Sequence, residues 1–155
     1  MIDDFHPHHD ETPFMAPRMP SAVTAIPAAP SSLAEAHFAA EFTFETDCWD
    51  VHDALAHCAD FVLFDVRSAE LYQQGHVPGA LHMPHGKIVE SKLAGWPPET
   101  LFVTYCAGPH CNGAARGAWR LAKLGRPVKI MAGGITGWLD EGFELATGAQ
   151  PGAHS

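Results

Sequence analysis

The chain is short of charge, and shortest of positive charge. Of its 155 residues 17% are charged, with 9 Lys and Arg against 18 Asp and Glu, a formal net charge of −9. That balance excludes bulk attraction to a phosphate backbone or an anionic membrane surface, so neither nucleic acid nor membrane is expected as a partner. No apolar run approaches the length of roughly 18 residues that a spanning helix needs. The first fifteen residues hold four acids and no Lys or Arg, so a basic leader is missing and a cytoplasmic chain is the expectation. Cysteines are few: Cys48, Cys58, Cys106 and Cys111, without the paired C-x2-C arms of a zinc ribbon. No metal site and no cofactor is read from them, and without an export signal reduced thiols are expected. No repeat occurs at solenoid spacing.

What is present suffices for one ordinary domain. Hydrophobic residues make up 46% and aromatics 10%, which excludes a fully disordered chain. Residues 1–30 carry six of the thirteen prolines and have no helical or strand period, so they read as a flexible Pro/Ala-rich arm. His6, His8 and His9 read there as part of a solvated tail. Ser31 or Ser32 can cap a short helix reaching about Ala40 and packing on the domain, followed by Phe42-Thr43-Phe44 as an edge strand. Thr46 or Asp47 caps a second helix, in which Val51, Leu55 and Cys58 share a face, so Cys48 and Cys58 are expected to be at least partly covered. Residues 61–64 and 101–105 are continuous apolar runs of the kind found in strands covered on both faces. A third strand fits residues 128–131, after a helix over 112–124 that Gly125 closes. Strands alternating with helices predict an α/β fold, its parallel sheet flanked by helices on both faces. The Gly, Pro and Ala of residues 146–155 should fray, leaving a domain over 31–148 and a disordered tail over 149–155.

The richest stretch for chemistry is Tyr105-Cys106-Ala107-Gly108-Pro109-His110-Cys111-Asn112-Gly113. It places a cysteine at the end of a buried strand, then a loop of small residues, then a helix start. Ligands in open α/β sheets bind at this end of the strands. Loop amides and the positive end of the helix dipole would favour thiolate over thiol at Cys106. Between 106 and 130 there is no acid and there are five bases, Arg116, Arg120, Lys123, Arg126 and Lys129. Loop amides with His110 or Arg116 are expected to help hold an anion; Lys123 and Arg126 are expected on a solvated helix face.

Three separated motifs add a resemblance. Asp65-Val66-Arg67 with Glu70-Leu71-Tyr72, then Gly75-His76-Val77-Pro78-Gly79-Ala80-Leu81-His82-Met83-Pro84, is similar to a signature of the rhodanese family. Gly133-Gly134-Ile135-Thr136-Gly137-Trp138 resembles the family's segment after the last strand, and Cys106 stands at the position of its catalytic cysteine. The resemblance covers residues 42–148 and implies a single rhodanese-like domain. It also implies sulfur transfer through a Cys106 persulfide, with a small sulfur-donor anion and a thiol, cyanide or protein acceptor as partners. Ala107, Gly108, Pro109, His110, Cys111, Asn112 and Gly113 would form the active loop, with Arg116 near it. Asp65 and Arg67, with Glu70, are expected to hold neighbouring loops. Pro78-Gly79 and Gly133-Gly134 read as structural, for a tight turn and a close backbone approach.

The loop departs from the family's common C-x4-R: no Lys or Arg follows Cys106 within nine positions, and the loop resembles a C-x-G-P-x-C variant. Cys111 is either a resolving thiol for Cys106 or a buried helix-start residue. A redox or sulfur-sensing module using Cys106 and Cys111 without turnover is the alternative function. Phosphatase chemistry is disfavoured by the absence of C-x5-R.

Overall fold

The computed structural model describes residues 19–153, which divide between two compact units, Met1–Glu35 and Ala36–Ser155. In the first unit Ser21 O accepts from Thr24 N at 3.0 Å and Ala25 N at 2.9 Å, forming a turn whose apolar neighbours Met19, Val23 and Ile26 are exposed. The arm expected over residues 1–30, with His6, His8 and His9, lies outside the described residues as far as position 18.

Helix α1 spans Ser31–Phe44 and absorbs the expected edge strand at 42–44. Residues 31–44 contain no Gly or Pro and four alanines, so helix propensity outweighs a period-2 pattern only three residues long. His37 and Glu41 add an i,i+4 pair at 2.9 Å. None of its residues is buried, contrary to the expectation of a covered face. The edge strand starts three residues later than expected, as β1 (Glu45–Thr46).

The second unit continues with α2 (Cys48–His57), β2 (Phe61–Asp65), α3 (Ala69–Gln74), β3 (Leu81–His82), a 3-10 turn at His85–Lys87 and α4 (Glu90–Leu93). Then follow β4 (Leu101–Tyr105), α5 (Gly113–Lys123), β5 (Val128–Met131) and α6 (Gly134–Asp140). The five strands form one sheet in the order β1-β5-β4-β2-β3, every pair parallel. Asp47 caps α2, its carboxylate accepting from Asp50 N at 2.8 Å, and Ser68 caps α3.

Because side chains alternate along a strand, β2 and β4 feed two cores. Leu63, Val103, Tyr105 and Met131 pack with Val51 of α2 and Trp138 of α6. Phe64, Phe102 and Cys106 pack on the other side with Leu93 of α4 and with Ala114 and Leu121 of α5. Both faces are covered, which is why the strands read as unbroken apolar runs. No helix among the described residues is long and apolar enough to cross a membrane.

Three local expectations need correction. Cys58 is exposed, because it sits just past the last turn of α2 as its C-cap. Arg126 is only 9% exposed: Gly125, at φ +73°, turns the chain after α5. The Arg126 guanidinium then donates to Leu93 O, Trp96 O and Pro97 O at 2.7–3.0 Å. Finally, the tail expected to be disordered over 149–155 is held as far as Pro151. Ala146 and His76 exchange two backbone bonds of 2.9 Å, Gly148 N donates to Gln73 O, and Pro151 O accepts from Gly79 N at 2.8 Å. Those partners lie some seventy residues upstream, where composition cannot reveal them.

Asp65, at the end of β2, is fully buried. It accepts from Arg67 N, Nε and Nη2 at 2.7–3.2 Å and from Tyr105 Oη at 2.8 Å. Arg67 thus pairs with Asp65 and not with the exposed Glu70, and its Nη2 also donates to Gly75 O. Tyr105 Oη accepts in turn from Val77 N at 3.0 Å. Tyr72 Oη donates to Ala80 O at 2.7 Å.

Tyr72 and Tyr105 are the chain's two tyrosines, and both are buried. Burial first, and the Asp65 carboxylate second, push both phenols up. A folded state that keeps protons the unfolded chain releases loses stability as pH rises, so this contribution is complete below about pH 10 and declines above it. Alkaline titration should therefore show Tyr105 phenolate absorbance only together with loss of the folded circular dichroism signal, with Tyr72 ionising above its ordinary range. Two phenols ionising near their ordinary value in an intact fold would contradict this.

Candidate active site

The parallel register puts Asp65 opposite Tyr105, and Cys106 is the next residue of the chain. The site is therefore built at the carboxyl end of the central strand, with the Asp65 bond to Tyr105 fixing the strand's last residue. Thr104 adds a second tether, its Oγ1 donating to Ala114 O at 3.0 Å and so locating the start of α5 relative to β4.

Cys106 is 6% exposed. Its backbone is gripped by the start of α6: Ile135 N donates to Cys106 O at 3.1 Å, and Thr136 donates to Ala107 O through both N and Oγ1, each at 3.0 Å. The grip requires Gly134. At φ +57° a Cβ there would meet Cys106 O and stand 2.9 Å from Gly108 N. The sequence reading of a close backbone approach at Gly133-Gly134 corresponds to this contact.

On the other side the sulfurs meet the first residue of α5. A Cβ on Gly113 would lie 2.8 Å from Cys106 Sγ and 3.4 Å from Cys111 Sγ, so this glycine leaves the space both sulfurs use. Sulfur at a helix amino terminus sits at the positive end of the helix dipole, which favours thiolate over thiol when the cysteines are reduced. Cys106 and Cys111 are joined as a disulfide, with Cα atoms 6.3 Å apart. Gly113 N donates to Cys111 Sγ at 3.5 Å.

The rest of the active loop takes a tight turn, Cys111 N donating to Gly108 O at 3.0 Å. His110 and Pro109 are exposed, and the His110 ring stands 3.2 Å from where a Gly108 Cβ would be. A cavity of about 350 Å³ opens over the loop, lined by Cys106, Gly108, Pro109, Cys111 and Ala114 on one side and by Ile130, Met131, Gly133 and Gly134 on the other. Glu45 of β1 also lines it.

The structure does not bring every expected residue here. Arg116 turns along α5, its Nε donating to Asn112 Oδ1 at 3.1 Å, and it does not line the cavity. Asp65 and Arg67 lie outside the cavity and act through Tyr105. Glu45 and Thr136 were missed by sequence reasoning. Glu45 offered no local signal, because its approach depends on the β1 pairing with β5. Thr136 lay inside a recognised motif whose hydroxyl role only the fold defines.

Cys48 is a different kind of thiol. It is buried against the start of α6, its Sγ donating to Ala132 O at 3.5 Å, and burial, then Asp47 and Glu141, push it up to about 11. It is a protonated packing residue at neutral pH.

Comparison with known proteins agrees with this architecture. The family model for the rhodanese-like domain matches residues 49–141, and the chain belongs to that family. Over 94 residues, 60% of its length, it is 36% identical to the HTH-type transcriptional regulator Rv0324 of Mycobacterium tuberculosis. It spans only 41% of that protein. The crystal structure of the BH2092 protein from Bacillus halodurans superposes with a TM-score of 0.73 at 34% identity, covering 77% of this chain and 88% of that one. Thiosulfate sulfurtransferase from Pseudomonas aeruginosa shares the fold at 24% identity, with a TM-score of 0.57 over 80% of this chain and 24% of that one.

Gly134→Ala tests how the loop is held. It introduces a Cβ where backbone already stands, in a left-handed conformation, and should destabilise the fold by about 1–3 kcal/mol in chemical denaturation. An unchanged denaturation midpoint would show that the Gly134 contact does not position Cys106.

Proposed function

We propose that the domain is a sulfurtransferase that moves sulfane sulfur from thiosulfate or a similar small donor to a thiol or cyanide through a Cys106 persulfide. The observation that carries this is the seat of the Cys106 sulfur, at the end of the central strand and against the first residue of α5. The thiolate attacks the donor's outer sulfur, sulfite leaves with the bonding electron pair, and Cys106 keeps the transferred sulfur. Dipoles at the start of α5, with loop amides of Ala107, Gly108, His110 and Asn112, stabilise the persulfide's charge. Family membership and the shared fold with a thiosulfate sulfurtransferase support the reading. The acceptor is cyanide, a small thiol or a thiol on a protein, and the site of action is the cytoplasm.

A second reading, a redox or sulfur-sensing module without turnover, draws on one observation. Among the described residues lining the cavity, Glu45 is the one charged side chain, and no Lys or Arg faces the donor. The similarity to a protein named as a transcriptional regulator points the same way.

Steady-state release of sulfite from thiosulfate, with excess thiol as acceptor, separates the two. Cys106→Ser should lower the rate by at least about 10³-fold, the scale on which loss of a nucleophile acts, whereas exposed Cys58→Ser should leave it unchanged. A wild-type protein that releases no sulfite above buffer would favour the sensing module.

A further inference from the structure

We infer a further activity: Cys111 discharges the Cys106 persulfide from within, releasing the transferred sulfur as hydrosulfide. This rests on the sulfurtransfer reading and specifies the fate of the sulfur. Its first ground is that the chain brings Cys111 Sγ into bonding contact with Cys106 Sγ, the inner sulfur of a persulfide. The Cα separation of 6.3 Å lies within the range that disulfides use without moving the backbone. A second ground is Gly113, where any side chain would occupy the space the two sulfurs share. The third is access. Cys106 is 6% exposed while Cys111 is half-buried beside it, so an internal thiol reaches the inner sulfur more readily than a dissolved one.

The step balances. Cys111 thiolate attacks Cys106 Sγ in line with the outer sulfur, a bond forms between the two Sγ atoms, and the bond from Cys106 Sγ to the outer sulfur breaks. The outer sulfur leaves with the electron pair and is reduced to hydrosulfide, taking the proton that Cys111 gave up. Cys111 is oxidised, and the product is the disulfide present in the structure. A dithiol reductant restores both thiols by exchange, so each cycle converts one sulfane donor and one dithiol into sulfite, hydrosulfide and an oxidised dithiol. The small residues around the loop, Gly108, Ala114, Gly133 and Gly134, leave the cavity open for a leaving group of one heavy atom.

The test is a single turnover without external thiol. Full-length protein carrying Cys58→Ser, which removes the one exposed free thiol, is reduced, freed of reductant and given thiosulfate. The expected result is sulfite and hydrosulfide in equal amounts, one of each per chain, at a rate independent of protein concentration. Peptide mass mapping should show a new Cys106–Cys111 disulfide. Adding Cys111→Ser should still release sulfite but no hydrosulfide, and should lengthen the life of the sulfur on Cys106 by at least about ten-fold. If the parent protein releases sulfite but keeps its persulfide as long as the Cys111→Ser protein does, the inference is overturned and sulfurtransfer stands. If neither protein releases sulfite, sulfurtransfer itself falls and the inference with it. The parent's product ratio decides the matter even if the Cys111 variant does not fold.

Discussion

The structure hangs on a buried carboxylate. Asp65 gathers the Arg67 guanidinium, an Arg67 amide and the Tyr105 hydroxyl at the point where β2 and β4 end together. A carboxylate with no exposure is tolerated only because it is paired and hydrogen-bonded on both oxygens, and removing one partner would strand the other. Tyr105 extends the network to the Val77 amide, and Arg67 carries it to Gly75 O, so one cluster ties β2, β4 and the segment after α3. Cys106 follows Tyr105 directly. The position of the Cys106 sulfur is thus set by a group that never touches it.

Around that fixed point the loop is shaped by missing side chains. Gly134 lets α6 donate to the carbonyls of Cys106 and Ala107, and Gly113 lets both sulfurs rest on the start of α5. The result is an electrostatic setting made of backbone dipoles and not of cationic side chains. Glu45 across the cavity makes the contrast sharper, since its carboxylate would repel a doubly charged donor of the kind proposed. Such a site suits a sulfur chemistry whose second thiol is already in place.

Much of this was legible in the chain. The unbroken apolar runs at 61–64 and 101–105 predicted strands covered on both faces, and Gly133-Gly134 predicted a close backbone approach, because each depends on residues adjacent in sequence. Reduced thiols were the expectation, and the Cys106–Cys111 disulfide departs from it; spacing alone does not tell a resolving thiol from a buried helix-start residue, so the role of Cys111 had two open readings. Arg126, Glu45 and the tail to Pro151 were not legible. Arg126 is drawn to three carbonyls of 93–97, Glu45 reaches the cavity through β1 pairing with β5, and Pro151 is held by His76 and Gly79. Each of those contacts is set by the folded topology. The edge strand expected at 42–44 shows the opposite case, where a weak local alternation lost to the helix propensity around it.

The proposed sulfurtransfer requires that Cys106 accept a sulfane sulfur. Its most direct test is the intact mass of reduced Cys111→Ser protein after exposure to thiosulfate, followed by peptide mapping. The expected result is a species heavier by one sulfur atom, with that atom on the peptide containing Cys106. An unchanged mass, or sulfur found on Cys58, would contradict it.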